Sequence, residues 1–240
     1  MKLTELLRDL LFVPRCAGCG ELLSPGEGAL CDNCRNTYET EQERTCPYCG
    51  LALPTCRCAG AFLEKNGVRR LVKLFRYYPN DAEAITNRMI YRLKHHAPRP
   101  LVALFARDLA TAVRPEIKEG LRVIVTYAPR SRRAQRRDGL DHMKYLSRAV
   151  ARELRAEWRP LLARRGGGEQ KKRGTKRERI RNMENAYSYI GKGTLAGCQV
   201  ILLDDVVTSG ATLMFASRLL RRAGAKRVTA AVLGSTLIKN

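Results

Sequence analysis

The chain has 240 residues, and its 45 lysines and arginines against 23 acidic residues give a formal net charge of +22 at pH 7. That length fits one large domain, or a medium domain with a small appendage. The charge indicates a polyanionic partner, nucleic acid first, because neutralised phosphates supply most non-specific affinity. The alternative is a merely soluble basic surface. No apolar run approaches the roughly 18–20 residues of a spanning helix, so we predict a cytoplasmic protein without a membrane span.

Residues 1–14 are predicted to form a short amphipathic helix. Its apolar residues recur at helical spacing, at Leu3, Leu6, Leu7, Leu10 and Leu11. Charged residues interrupt this pattern at Glu5, Arg8 and Asp9, which a signal peptide would not tolerate. We therefore expect this helix to dock on the rest of the chain.

Eight of the nine cysteines form a C-x2-C-x11-C-x2-C-x11-C-x2-C-x6-C-x-C array. Without a secretory leader, metal binding is favoured over disulfides. Two C-x2-C turns complete the tetrahedral sulfur shell of structural zinc. We predict a zinc module at residues 15–60, folded largely by its metal. The predicted ligands are Cys16, Cys19, Cys31, Cys34, Cys46, Cys49, Cys56 and Cys58.

The pairing of these cysteines stays open at this point. The sites are sequential (residues 16–34 and 46–58), or crossed, or a single zinc leaves the last four cysteines free. The spacing of the final C-x-C pair is less favourable for two ligands of one metal than the C-x2-C spacing. Because the module has few large apolar residues, we expect a chelator to melt it and leave the remainder largely folded.

From residue 61 onwards, strand and helix patterns alternate, which indicates an α/β domain. The predicted elements are a strand or short helix at 68–78, a helix from the Asn80–Glu83 cap to His95, helices at 101–113 and 143–154, and strands at 121–127, 160–163, 185–190, 200–203 and 227–233. Adjacent His95 and His96 point to different helix faces, so they carry little weight as metal ligands.

Two basic segments interrupt this alternating pattern. The first follows the strand at 121–127, where a parallel sheet would receive a phosphate, and offers Pro129, Arg130, Arg132 and Arg133, then Arg136 and Arg137. The second is a glycine-rich stretch at 164–181, predicted to be a mobile lid or a nucleic-acid arm. Its cations include Lys171, Lys172, Arg173, Lys176 and Arg177. A solvated basic face is the alternative for the first segment.

The most informative stretch is residues 200–213. An apolar strand runs into Asp204 and Asp205, and then into the loop residues Thr208, Ser209, Gly210, Ala211 and Thr212. Free N–H groups at a helix N-terminus bind anions, and glycine permits close approach of a phosphate. The carboxylates suit sugar hydroxyls or a nearby Mg²⁺. The stretch therefore predicts a ribose 5-phosphate ligand, and the alternative is an ordinary strand–turn–helix.

This motif resembles the phosphoribosyl pyrophosphate (PRPP) motif of type I phosphoribosyltransferases. With the cysteine array, Leu93-Lys94, the basic loop at 129–142 and the segment at 170–186, the whole chain resembles the ComF family of competence-associated proteins. The resemblance implies a parallel-sheet phosphoribosyltransferase-like α/β domain at 61–240, behind the zinc module. It also implies that Asp204 and Asp205 face the ribose diol and Mg²⁺, that Thr208–Thr212 wraps the 5-phosphate, and that residues 128–133 lie near pyrophosphate.

The family is associated with DNA uptake during natural transformation, which leaves three hypotheses for function. The first is a protein that binds PRPP or another ribose 5-phosphate with Mg²⁺ and handles single-stranded DNA, with other DNA-uptake proteins as further partners. The second is an active phosphoribosyltransferase, with Asp204 and Asp205 as catalytic residues. The third is a PRPP-sensing regulator without turnover. Two departures from the family are Cys56-Arg57-Cys58 and Gly139–His142, and no nucleobase domain is recognisable.

Overall fold

A computed structural model of the chain describes residues 14–24, 26–130, 135–137, 139–164 and 186–236. Three sets of sequence predictions lie outside these residues. They are the N-terminal helix apart from its last residue, the pair Arg132 and Arg133, and the basic residues Lys171, Lys172, Arg173, Lys176 and Arg177.

Helices and strands alternate through the larger part of the chain, as predicted. The helices are α1 (Asp32–Glu43), α2 (Ala61–Lys65), α3 (Ile85–His95), α4 (Arg99–Val113), α5 (His142–Glu153) and α6 (Ala211–Arg222). The strands are β1 (Leu71–Arg76), β2 (Arg122–Tyr127), β3 (Glu157–Trp158), β4 (Leu162–Arg164), β5 (Tyr187–Tyr189), β6 (Cys198–Val207) and β7 (Arg227–Ser235). A short 3-10 turn, Arg114–Glu116, follows α4.

The main sheet has the strand order β1-β7-β6-β2-β3, and each of its neighbouring pairs is parallel. Leu203 of β6 is in register with Ala231 of β7 on one side and Tyr127 of β2 on the other. The parallel α/β fold predicted from the sequence is confirmed. Because β6 is central, the residues that follow it lie in the middle of the carboxyl edge of the sheet.

Apolar side chains cover both faces of the sheet, as expected for a buried parallel sheet. One face, which includes Ile201 and Leu203, packs with side chains of α3, α4 and α5. The opposite face, which includes Val200 and Leu202, packs with side chains of α6. From Val200 to Leu203, successive β6 side chains therefore alternate between two separate cores, as a strand period of two requires.

The predicted strands at 160–163 and 185–190 correspond to β4 and β5, but they are not part of the main sheet. They pair with each other in an antiparallel two-stranded sheet, with Leu162 opposite Tyr189. The guanidinium carbon of Arg164 lies 5.5 Å from the centre of the Tyr187 ring, a cation–π arrangement. This hairpin stands beside the sheet on the α6 side, because Leu162 belongs to that buried cluster.

The cysteine-rich segment packs directly on the sheet domain. Helix α1 begins immediately after Cys31, and its Tyr38 is buried in the same cluster as Phe75 of β1 and Phe105 of α4. The Tyr38 hydroxyl donates to Asp108 Oδ2 over 2.7 Å. The two parts share one core, which argues against the expectation that a chelator would melt the module alone.

Two sequence predictions need correction in detail, and three elements were not predicted. Strand β6 does not stop at Asp204 but continues to Val207, because β7 pairs with it that far. Helix α3 begins at Ile85 and not at Asn80, since Asp81 Oδ1 accepts the N–H groups of Glu83 and Ala84 in a preceding turn. Helices α1 and α2 and the two-residue strand β3 were not predicted. Among the described residues, no helix combines the length and apolar character needed to cross a membrane.

A buried ion cluster joins the end of the cysteine-rich segment to the sheet. The carboxylate of Glu116, 4% exposed, accepts from Arg57 at 2.8 Å, Arg70 at 2.7 Å and Arg227 at 3.3 Å. Burial raises the pKa of Glu116, but hydrogen bonds from Arg70 and Arg57 outweigh it and lower the pKa to about 2. Arg57 lies between Cys56 and Cys58, Arg70 precedes β1 and Arg227 begins β7.

We predict that Glu116→Gln destabilises the chain by about 2–3 kcal/mol at pH 7, because the depressed pKa represents stabilisation of the ionised form. This contribution is complete above the ordinary pKa of 4.5 and is lost as pH falls towards about 2. Denaturant unfolding between pH 3 and 7 measures the loss of unfolding free energy. The control is Glu157→Gln, which removes an exposed ion pair with Arg122. Equal losses of unfolding free energy in the two variants at pH 7 would contradict the prediction.

Candidate functional site

The first four cysteines of the array converge in space. The sulfur atoms of Cys16, Cys19, Cys31 and Cys34 all lie within 4.8 Å of one another, and Cys19 Sγ is 3.8 Å from Cys31 Sγ. Tetrahedral zinc with Zn–S bonds of about 2.3 Å places its sulfurs about 3.8 Å apart. The side chains therefore fit a structural zinc ion without rearrangement of the backbone.

Backbone N–H groups in this first cluster donate hydrogen bonds to one of its sulfur atoms. The N–H groups of Gly18 and Cys31 each donate to Cys16 Sγ over 3.4 Å. Burial raises the pKa of the Cys16 thiol, but hydrogen bonds from the backbone of Cys31, Cys19 and Gly18 lower it to about 6. The thiolate is the form that binds zinc, so the turn favours the ligand state.

The second cluster contains Cys46, Cys49, Cys56 and Cys58, again with all sulfur atoms within 4.8 Å. The structure thus groups the cysteines in the sequential arrangement. Both cysteines of the C-x-C pair belong to this second cluster. Lys73 of β1, 2% exposed, donates from Nζ to Cys56 Sγ over 3.1 Å and to the Cys58 carbonyl over 2.9 Å. A zinc ion bound by four thiolates would carry a net charge of −2, which this buried lysine would offset in part.

The predicted acid pair lies at the carboxyl end of β6, on opposite sides of the sheet. Asp205 faces α3 and α5: its Oδ2 is 3.0 Å from Lys94 Nζ and 3.2 Å from His142 Nε2. Its Oδ1 accepts the N–H of Val206 over 2.6 Å. Burial raises the pKa of Asp205, but His142 and Lys94 outweigh it and hold the pKa well below its usual range.

Asp204 faces the other side, towards the β4–β5 hairpin. Its Oδ1 accepts the N–H of Asp205 over 3.0 Å, and no side chain of the described residues forms a hydrogen bond or ion pair with it. Burial and the negative charge of Asp205 raise the pKa of Asp204 well above its usual range, while Lys94 and Arg164 act in the opposite direction. The two neighbouring acids therefore have different environments.

Lys94 and His142 belong to the site, although their roles were not predicted from the sequence. The His142 side chain is fully buried, and the ionised Asp205 can only accept, so Nε2 carries the shared hydrogen. His142 Nδ1 is buried without a hydrogen-bond partner among the described residues. Both residues are far from Asp205 in the chain, and only the fold brings them together.

The predicted phosphate loop follows β6. Thr208 and Ser209 are exposed, whereas Ala211 and Thr212 already belong to the first turn of α6. Gly210 has φ +81°, and a Cβ there would lie 2.7 Å from Leu63 Cγ. Glycine is therefore required by backbone conformation and by packing against α2, independently of any phosphate. The loop presents the amino terminus of a twelve-residue helix, which suits an anion.

The first basic segment begins beside the acid pair. The N–H of Ala128 donates to the Leu203 carbonyl over 2.9 Å, which places Pro129 and Arg130 next to Asp204 along the carboxyl edge. Arg136 and Arg137 are exposed on the surface. The structure therefore brings the start of this segment, Pro129 and Arg130, to the edge where Asp204 lies.

A cavity of about 1160 Å³ adjoins this edge. It lies between the first cysteine cluster, which contributes Arg15 and Ala17, and the α3 helix. Lys94 lines the cavity and also contacts Asp205, so the cavity is a neighbour of the acid motif and not its cover.

Two family models match separate parts of the chain. Residues 7–66 match the double zinc ribbon domain, and residues 162–237 match the phosphoribosyl transferase domain. The zinc ribbon match and the two cysteine clusters together indicate structural zinc. The boundaries expected at residues 14, 60 and 61 stay predictions.

Curated relatives match nearly the whole chain. Competence protein F of Haemophilus influenzae is 25% identical over 89% of this chain and 93% of its own length. The DNA utilization protein YhgH of Escherichia coli is 28% identical over 95% of this chain and 100% of its own. Competence protein ComFC of Streptococcus pneumoniae is 27% identical over 86% and 88%. These relatives confirm the resemblance stated from the sequence.

Two solved structures show a weaker likeness. A purine phosphoribosyltransferase from Pyrococcus horikoshii is 19% identical, with a TM-score of 0.36 over 56% of this chain and 73% of that one. A glutamine phosphoribosylpyrophosphate amidotransferase from B. subtilis is 14% identical, with a TM-score of 0.40 over 60% and 30%.

We predict that the purified chain holds two zinc ions and that Lys73→Met weakens only the second site, about 10- to 100-fold, since outer contacts to metal ligands have effects of this size. Zinc transfer to a competing chromogenic chelator measures both sites. Lys65→Met, which removes an exposed lysine of α2, is the control. Loss of zinc from the two variants at the same rate would contradict the proposed role of Lys73.

Proposed function

We propose, on the premise that the chain is a homologue of ComF-type competence and DNA-utilization proteins, that it binds a ribose 5-phosphate group together with Mg²⁺. The group belongs either to PRPP or to the 5′ end of a DNA strand, and the protein acts in the handling of single-stranded DNA. Support comes from the relatives named for competence and DNA utilization, and from the phosphoribosyl transferase domain.

The observation that carries the proposal is the difference between the two acids of the motif. Both carboxylate oxygens of Asp205 already have partners, in Lys94, His142 and the Val206 N–H. Asp204 has no side-chain partner among the described residues. We therefore assign sugar and metal binding to Asp204 and a positioning role to Asp205, which differs from the sequence-based expectation that both acids face the ligand.

Mg²⁺ commonly binds through one or two carboxylates together with the phosphates of its ligand. Asp204 supplies such a carboxylate once it is ionised, and bound Mg²⁺ would neutralise charge on the phosphates of the ligand. The positive charges of Lys94 and Arg164 near Asp204 favour that ionised form.

The 5-phosphate is assigned to the loop Thr208–Thr212. The hydroxyl groups of Thr208 and Ser209 and the first-turn N–H groups of α6 are donors at one end of the site. A helix amino terminus stabilises an anion through these donors and through its dipole. A diol-binding acid and an anion-binding helix end on one strand–loop–helix unit match the two ends of a ribose 5-phosphate.

Single-stranded DNA is assigned to the basic surface around this edge. Arg136 and Arg137 are exposed, and the segment that carries them begins at Ala128 beside this edge. The net charge of +22 favours phosphate contacts of this kind. The cations at Lys171–Arg177 stay part of this proposal on sequence alone.

We predict that Mg²⁺–PRPP affinity rises with pH because of Asp204. Its pKa is raised, so ligand binding must displace a proton at low pH, and this cost falls as pH increases. Asp204→Asn should lower the affinity by about 1.5–3 kcal/mol at high pH and flatten the pH dependence to that of the ligand itself. Titration calorimetry between pH 5 and 9 measures both effects.

Asp205→Asn is the matched control for this experiment. It loses the charge that holds Lys94 and His142, so it should lower thermal stability while a pH dependence of binding persists. A pH dependence that persists in Asp204→Asn and vanishes in Asp205→Asn would reverse the assignment of the two acids. Pyrophosphate release with added nucleobases, measured in the same samples, separates turnover from binding.

A further inference from the structure

Helix α2 lies between the second cysteine cluster and the loop to which the 5-phosphate is assigned. We propose that Leu63 of α2 is a positioning residue for the loop Thr208–Thr212, and that the second cysteine cluster holds α2 in place when it carries zinc. Zinc at this cluster then raises the affinity of the loop for a phosphate. This inference rests on the proposed function, because that function brings a phosphate to the loop.

The side chain of Leu63 packs against the turn of the loop. Leu63 is fully buried, and a Cβ on Gly210 would lie 2.7 Å from its Cγ and 2.8 Å from its Cδ2. Leu63 also belongs to the same buried cluster as Val207, where β6 ends, and Leu213, in the first turn of α6. Gly210 itself is buried, whereas Thr208 is exposed. The loop therefore rests on Leu63 and leaves Thr208 accessible to a ligand.

The position of Gly210 decides where α6 begins. Its carbonyl accepts the N–H of Met214 over 3.0 Å, which starts the hydrogen-bond pattern of the helix. The N–H groups of the first turn of α6 are the donors assigned to the phosphate. Hydrogen bonds from N–H groups need donor–acceptor distances of about 2.7–3.2 Å. A displacement of Gly210 would therefore move these donors out of reach of a bound phosphate.

The carboxyl end of α2 is tied to α6 by two arginines. Arg218 Nη2 donates to Asn66 Oδ1 over 2.8 Å, and Arg221 Nη2 donates to the carbonyl of Gly67 over 2.6 Å. Helix α2 has only five residues, and isolated helices shorter than roughly 12–15 residues are barely stable. The position of α2 therefore depends on what holds its two ends.

The amino end of α2 follows the second cysteine cluster directly. Only Ala59 and Gly60 separate Cys58 from the helix, and Ala59 is fully buried in the same cluster as Leu63. The carbonyl of Cys58 accepts from Lys73 Nζ over 2.9 Å. Zinc bound to Cys58 would cross-link this point to the other three cysteines of the cluster, and its loss would release it. A metal that holds Cys58 therefore holds α2 against the loop.

The first cysteine cluster has no such connection to the loop. Cys16 and Cys34 belong to the core on the opposite face of the sheet, together with side chains of α3 and α4. Coupling between two sites is reciprocal, so a phosphate on the loop should raise the zinc affinity of the second cluster by the factor by which zinc raises phosphate affinity. The first cluster should show neither effect.

Binding of ribose 5-phosphate to the full-length, zinc-loaded chain without Mg²⁺ tests the proposal, with ribose as the control ligand. Leu63→Ala and Cys58→Ser should bind ribose 5-phosphate about 5- to 150-fold more weakly, the usual range of coupling between two sites. Leu63→Met nearly conserves the side-chain volume and should retain the affinity. Titration calorimetry measures the affinities.

Matched controls separate positioning from a general loss of stability. Leu220→Ala truncates another fully buried leucine of the same cluster, near the far end of α6. Cys19→Ser removes one cysteine of the first cluster. Both controls should bind ribose 5-phosphate like the wild type, even where the melting temperature or the zinc content falls.

Two further readouts do not depend on turnover. In zinc transfer to a chromogenic chelator, ribose 5-phosphate should protect the zinc that Cys58→Ser loses and not the zinc that Cys19→Ser loses, and Leu63→Ala should abolish this protection. Hydrogen exchange reports local opening without any ligand. The N–H groups in the first turn of α6 should exchange faster in Leu63→Ala and Cys58→Ser than in the two controls.

Equal ribose 5-phosphate affinities and equal first-turn exchange in Leu63→Ala and Leu220→Ala would overturn the inference and leave the proposed function standing. Weaker binding in Leu63→Ala but not in Cys58→Ser would contradict the coupling to zinc. If ribose 5-phosphate does not bind the wild type, the proposed function is contradicted, and faster first-turn exchange in Leu63→Ala and Cys58→Ser would still support the positioning role.

Discussion

Strand β6 is buried on both faces between β7 and β2, and this double burial fixes the directions of its two aspartates. Ile201 and Leu203 pack with α3, α4 and α5, whereas Val200 and Leu202 pack with α6. Continuation of that alternation directs Asp205 to Lys94 and His142 and leaves Asp204 towards the hairpin. The two adjacent acids thus have different surroundings: Asp205 is neutralised by Lys94 and His142, whereas Asp204 has no side-chain partner among the described residues.

The same sheet also holds the cysteine-rich module in place. Lys73 of β1 donates to the second cysteine cluster, and Tyr38 of α1 packs on Phe75 of the same strand. Glu116 adds a buried ion cluster between Arg57 of the module and Arg227 of β7. These contacts join the module to the edge strand β1, and helix α1 of the module also contacts α3.

Local sequence patterns were sufficient to predict the two cysteine clusters and the parallel sheet, because each cluster and each strand depends on residues close together in the chain. Helix α1 was missed since its polar sequence has no apolar period, and its burial depends on Tyr38 meeting a distant strand. The partners of Asp205 were missed for the same reason, because Lys94 and His142 reach it only through folding. The separate roles of Asp204 and Asp205 follow from the side of the sheet each one faces, which depends on packing.

The central claim is that one site at the carboxyl end of β6 recognises a ribose 5-phosphate, whether in PRPP or at the end of a strand. The most direct test compares the affinities of a 5′-phosphorylated and a 5′-hydroxyl single strand of the same sequence, at fixed salt, with and without PRPP and Mg²⁺. We predict that the phosphorylated strand binds more tightly and that PRPP abolishes the difference without displacing the strands entirely. Equal affinity of the two strands, unchanged by PRPP, would contradict the claim.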